Sequence, residues 1–325
     1  MSPPDERSER AGQAQGVIYQ QGYRHYRGRY LGRLHAVVSL AWADGKRALG
    51  IGRGWKYKLG FFILVGILLI IALIAFGTNA VTERIGAGGQ SRSFYPFANP
   101  YNGFFDSANG IILWLLFALI IPDLLCNDRR YGTLRLYLAR PISLSDYLAG
   151  KALAIVGVLS AVLLAPALLL FLAKALGAVQ PGAYLAAHLG DLGALLLSGL
   201  LFAVYYALIS GALASLTKST GYAAAGIVGL LIAARLVGST VLAFTHRRMA
   251  TLIDLSQLVG QIKSSLFGVN QPLITLNIQF QNGSQPVTPV IVQPYPVWVY
   301  LLAALAAVLL SALVIGWRYR REVDR

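Results

Sequence analysis

Charge is what this chain has least of. Only 13% of its 325 residues are Asp, Glu, Lys or Arg, about half the roughly 25% usual for a soluble domain, so much of its surface is solvated by something other than water. Acid is scarcer than base, with 13 Asp and Glu against 28 Lys and Arg. The apolar runs hold too few carboxylates to pair two of them for acid–base chemistry. The single cysteine, Cys126, excludes an internal disulfide framework. Four scattered histidines (His25, His35, His188 and His246) show no metal-ligand spacing. Also missing are a G-x-x-x-x-G-K-[ST] loop, a Gly-x-Ser-x-Gly elbow and a His-Glu-x-x-His pair. The two Gly-Lys pairs, Gly45-Lys46 and Gly150-Lys151, have no glycine five residues earlier. The chain is therefore expected to be no enzyme and to bind no cofactor itself.

What is abundant is apolar sequence, 56% of the chain. Leu59 to Phe76 is an unbroken run of apolar residues and glycine, long enough for a helix to cross the hydrocarbon core. Five further stretches suit the same role, which predicts an all-α polytopic membrane protein with spans near 59–77, 107–126, 152–174, 192–216, 222–244 and 297–317. Asn109 and Asp123 bracket the short apolar core of the second. Pro166 is expected to kink the third. Trp298 and Trp317 mark the two interfaces of the sixth.

Orientation follows from the basic residues. With the N-terminus inside, 21 of the 28 Lys and Arg fall on the cytoplasmic side, six fall outside, and Arg235 lies within a span. The positive-inside rule selects both termini in the cytoplasm. The same distribution explains the net charge of +15 by basic flanks on an anionic leaflet, with no nucleic-acid partner.

Outside the spans, residues 1–30 are a polar tail expected to be disordered. Across 31–57, Leu31, Leu34, Val38, Ala41 and Leu49 recur at helical spacing, while Arg33, Asp44, Lys46 and Arg47 occupy other faces. That predicts an amphipathic helix in the cytoplasmic interface. Residues 58–325 form the transmembrane domain. Its external segment, 245–296, opens with the stripe Leu252, Leu255, Val259, Ile262, Leu266 and has Gly268 placed to end a helix. Leu276, Ile278 and Phe280 then alternate with polar residues before Asn282-Gly283, and Val290 to Val292 follow, so a small hairpin is expected.

Two candidate sites stand out. Arg235 is the one basic residue deep in a span, where charge is expensive unless it meets water, a partner or a headgroup. It is a candidate for a substrate path, and the competing reading is a shifted span boundary. The loop 127–151 is the other. Tyr131, Leu134 and Leu138 lie at helical spacing with Arg135 elsewhere, which predicts a short helix that Pro141 ends with a turn into the third span. On periodicity alone these arginines read as topology anchors.

The run Asp128-Arg129-Arg130-Tyr131-Gly132-Thr133-Leu134, then Ala139-Arg140-Pro141-Ile142-Ser143, then Tyr147-Leu148-Ala149-Gly150-Lys151, resembles the loop between the second and third spans in permease subunits of export-type ATP-binding-cassette transporters, the ABC-2 type. The resemblance covers roughly residues 34 to 320, its specific motif about 25 of them, and Leu144 departs from it where many members carry arginine. It implies a coupling helix built from Arg129, Arg130, Tyr131, Gly132, Thr133, Leu134, Arg135, Tyr137, Leu138, Arg140 and Pro141, docking on a separate ATPase subunit that binds ATP and magnesium. It further implies a second permease, as homodimer or heterodimer, in a bacterial cytoplasmic membrane, and outward transport of an amphiphilic substrate. Two other classes stay open: a membrane anchor or assembly protein, and an ion-driven carrier.

Overall fold

The structure is a computed structural model that describes residues 32–52, 54–86, 99–133, 137, 142–269, 273–276 and 289–323. The expected disordered tail lies outside the described residues. Helix α1 (Gly32–Ala48) ends at a turn in which Gly50 and Gly52 take φ of 77° and 83°, conformations open to glycine at little steric cost. There follow α2 (Trp55–Gly86), α3 (Pro100–Ala108), α4 (Ile111–Arg130), α5 (Leu144–Gly177), α6 (Pro181–Ala187), α7 (Leu189–Leu216) and α8 (Thr220–Thr245). A 3-10 turn (Arg248–Leu252), α9 (Leu255–Leu266), strands β1 (Leu273–Leu276) and β2 (Pro289–Val292), and α10 (Val297–Val323) complete the chain.

Six of these helices are long and apolar enough to cross a membrane: α2, α4, α5, α7, α8 and α10. This is a multi-pass membrane protein. The spans divide into two sets. The most apolar windows of α4, α5 and α7 are 67%, 50% and 56% buried, and those of α2, α8 and α10 only 17% each. The first set is the core of the bundle and the second its flanks. Phe117 of α4 stacks on Tyr206 of α7 at 5.1 Å between centroids, and Phe105 and Phe202 extend the aromatic core.

Several boundaries differ from the sequence reading. The second span starts at Ile111 rather than near Ser107, because the helix breaks at Asn109-Gly110 and the preceding nine residues form α3. Pro100 opens α3 and the Asn99 side chain caps it, two local signals that start a helix there. The third span starts earlier than expected, at Leu144, because Ser143 and Asp146 build a capping box. Lys151 thus sits two turns inside a helix. The helix runs on through Pro166.

Helix α1 packs on the bundle through one face. Leu40, Ala41, Asp44 and Ala48 are buried, whereas Leu34, Val38 and Trp42 are exposed. It tracks the first turns of α5. Arg33 meets Asp146, Leu40 lies over Gly150, Asp44 meets Lys151, and Gly45 faces Val158.

At the opposite end, α9 forms where the apolar stripe predicts it, and Gly268 (φ 65°) closes it. The strands pair antiparallel from Leu273↔Val292 to Leu276↔Pro289. This register centres the connection between Asn282 and Gly283, the expected turn, which lies outside the described residues. Ile278 and Phe280 of the expected alternation lie outside the described residues.

Candidate functional site

The candidate coupling segment leaves the bundle between α4 and α5, and the residues at its two roots are mostly buried. Asp128, in the last turn of α4, and Lys151, in α5, are 3% and 1% exposed. Lys151 Nζ lies 2.6 Å from Asp128 Oδ2 and 2.8 Å from Asp44 Oδ2 of α1. Neither contact has hydrogen-bond geometry, and both are held by charge. Arg47 Nη1 donates to Asp128 Oδ1 at 3.3 Å, and the Tyr147 hydroxyl donates to Asp128 Oδ2 at 2.9 Å. Two carboxylates, an ammonium and a guanidinium therefore balance inside one pocket of α1, α4 and α5. Burial pushes the Asp44 carboxyl above its ordinary range, and the neighbouring Lys151 pulls against it.

The next residue faces the other way. Arg129 Nε donates to Glu322 Oε2 of α10 at 2.9 Å, and Nη1 donates to the carbonyls of Ser215 and Thr217 that end α7. Its guanidinium lies 5.6 Å from the Tyr319 ring centroid. Lys218 adds a second cation to Glu322 at 3.3 Å. Asp128 and Arg129, adjacent in sequence, thus fasten α4 to α1 and α5 on one side and to α7 and α10 on the other.

This sorts the residues that the sequence grouped together. Arg129 has a fully buried side chain and points into the bundle, so it offers a partner no surface charge in this conformation. Arg130 and Tyr131 are exposed, with the guanidinium 5.9 Å from the ring centroid. Gly132 takes φ 68° and turns the chain out of α4. Thr133 Oγ1 donates back to the Asp128 carbonyl at 3.1 Å. Thr133 and Tyr137 are helical, and the half-buried Tyr137 ring packs 5.6 Å from that of Tyr147. Leu134, Arg135, Leu138, Arg140 and Pro141 lie outside the described residues.

The Gly150-Lys151 pair acquires a physical reason. A Cβ at Gly150 would fall 2.8 Å from Leu40 Cδ2 and 3.3 Å from the Val37 carbonyl oxygen. Glycine lets α1 lie against α5, which brings Asp44 within reach of Lys151.

Arg235 lies apart from this network, towards the α9 end. Its side of α8 is exposed, yet its Nη1 donates to the Asn109 carbonyl at 3.2 Å and its guanidinium sits 5.8 Å from the Trp114 ring centroid. Asn109 is a hub at the α3–α4 break. Its Oδ1 accepts from Tyr206 at 2.7 Å, and its Nδ2 donates to the Ser256 carbonyl of α9 at 3.0 Å. Nearby, Lys263 is wholly buried and pairs with Asp106, and it donates to the Asn102 carbonyl at 3.2 Å. Burial lowers the Lys263 ammonium below its ordinary value, opposed by Asp106.

Sequence reasoning missed Asp44 and Lys263 as buried ions. Neither carried a local signal, since Asp44 lies off the apolar spacing of its helix and Lys263 lies beside the stripe of α9 rather than in it. No protein-family model matches the chain and no curated protein matches it in sequence.

Proposed function

We propose that this chain is the permease subunit of an ATP-driven exporter of the ATP-binding-cassette type, coupled through the loop 127–151 to a separate ATPase. The observation that carries the reading is the fastening of that connection. Its roots are joined to α1 by Asp44, Lys151 and Asp128 and to α7 and α10 by Arg129. A force that reaches these roots would therefore be passed to five helices. Such a linkage is what a motor acting from outside the membrane needs to switch packed helices between two arrangements.

In this reading Arg130 and Tyr131 are the described parts of the docking surface. The end carrying α1 and the C-terminus faces the cytoplasm, following the excess of basic residues there. The lightly covered flanks of α2 and α8, and Arg235 exposed between them and the α9 end, call for a second permease and a polar path between the two copies. An amphiphilic substrate, its anionic head near Arg235, suits that path.

The test is to purify the tagged chain in mild detergent, identify its companions and assay vanadate-sensitive ATP hydrolysis. A stoichiometric nucleotide-binding subunit, lost in Tyr131→Asp or Leu134→Asp while membrane insertion is kept, supports the proposal. A stable chain with no ATPase after gentle, crosslinked isolation overturns it in favour of an anchor or an ion-driven carrier.

A further inference from the structure

A groove of about 540 Å³ opens on the flank of the bundle between α7 and α10, beneath α9. Its floor is Tyr205, Ile262 and Ala304, all buried, and its rim is Trp298, Leu301 and Leu305, all exposed or nearly so. Arg235 and α8 contribute nothing to its lining.

Three features bear on what fills it. The first is depth. From Trp298 to Val308 the groove follows α10 for ten residues, about 15 Å at 1.5 Å per residue, which is half of a hydrocarbon core of about 30 Å. It begins at an indole in the first turn of the span, the level at which tryptophan favours the interface. The groove is therefore one leaflet deep.

The second is chemistry. No lining residue is charged, and of its two polar groups the Tyr205 hydroxyl turns away to donate to the Leu255 carbonyl at 3.0 Å, while the Trp298 indole N–H belongs to the rim. A headgroup or polar solute would lose its hydrogen bonds to water and find no replacement.

The third is width. Volume over length leaves the centre of a water-sized group a cross-section of about 36 Å². A chain of methylenes fits that section along its whole length. Inside a bilayer no hydrophobic gain separates one apolar neighbour from another. Close packing along a concave wall is what remains to favour a resident chain.

We propose that this groove binds one acyl chain of a membrane lipid in the leaflet at the α9 end. The chain lies along α10 and packs under Ile262, so that it closes the apolar side of α9, whose other side is pinned by Lys263 and by Asn109. The proposal goes beyond the export reading and does not depend on it.

The experiment uses the full chain in liposomes of phosphatidylethanolamine and phosphatidylglycerol, with a trace of phosphatidylethanolamine carrying a diazirine in one acyl chain. After illumination, labelled residues are mapped by mass spectrometry. The expected result is labelling of 298–308 and 201–205 several-fold above that of Leu309, Leu310 and Leu313, which are comparably exposed on the same helix. Ala304→Phe, which fills the floor, should abolish the enrichment. Even labelling along α10, or enrichment that survives Ala304→Phe, overturns the proposal. So does disulfide formation between copies carrying Leu305→Cys, which would assign the groove to a protein contact. Leu201→Trp, which fills the opposite wall, decides the matter in the same way if Ala304→Phe fails to fold.

Discussion

Lys151 Nζ lies 2.6 Å from Asp128 Oδ2, and both side chains are shut away from solvent where α5 leaves the candidate coupling segment. With Asp44 at 2.8 Å on the other side, the ammonium holds two carboxylates that would otherwise repel each other. Removing one partner of a buried ion pair typically destabilises by about 3–5 kcal/mol. Lys151→Met should therefore lower the thermal unfolding midpoint of the purified protein markedly. Adding Asp44→Asn to it should recover part of the loss, since one uncompensated charge is then gone. A double variant as unstable as the sum of the single ones would show that the two residues are not coupled.

Arg129 and Arg130 are neighbours with opposite surroundings. Arg129→Ala should destabilise by about 3 kcal/mol or more, because Glu322 and two α7 carbonyls lose their cation inside the protein. Arg130→Ala should stay within about 0.5 kcal/mol of wild type and, on the export proposal, weaken recovery of the ATPase. Denaturation midpoints and pull-down yields, measured on the same preparations, separate the two effects.

Gly150→Ala tests the close approach of α1. The added methyl would meet the Leu40 side chain and the Val37 carbonyl oxygen, and overpacking of this kind costs typically about 1–3 kcal/mol. The helix propensity of alanine works the other way by up to about 1 kcal/mol. A net loss of stability is expected, together with greater protease access to α1. A net gain would show that α1 moves aside freely and that the Asp44 contact is loose.

Lys263 gives up its proton more readily in the folded protein than in the unfolded chain, since burial disfavours its charge. Between its lowered value and the ordinary 10.5, the unfolded state holds more protons, so stability contributed at this position rises with pH. Lys263→Met lacks that dependence. The difference in unfolding midpoint between wild type and Lys263→Met, followed upward from neutral pH, should move in favour of the wild type. A difference that does not change with pH would mean that Asp106 offsets the burial completely.

Much of the architecture was legible because it rests on local periodicity and on runs of apolar residues. The unbroken run Leu59 to Phe76 lies within the span that begins at Lys58. Steps of three and four through Leu255, Val259 and Ile262 marked α9, and Gly268 marked its end. The α3–α4 break was harder to read. Asn109 was noted only as a polar bracket, whereas its three hydrogen bonds to Arg235, Tyr206 and Ser256 join residues more than 90 positions away. The roles of Arg129 and Arg130 were inseparable for a similar reason. Nothing in two consecutive arginines states which one will meet a glutamate near the other end of the chain.

By itself the sequence determined the solvent and the class of this protein, since six long apolar stretches can satisfy their backbone only as helices in a bilayer. It also located the six spans and α9, because apolar runs and glycines act on their own neighbourhood. Only the tertiary structure decided that Asp44, Asp128 and Lys151 share one pocket, that Arg129 is inside while Arg130 is outside, and that a leaflet-deep groove lies between α7 and α10. Those outcomes depend on which helix faces meet. Charge balance and close packing settle that choice between segments far apart in the chain, and no local pattern records it.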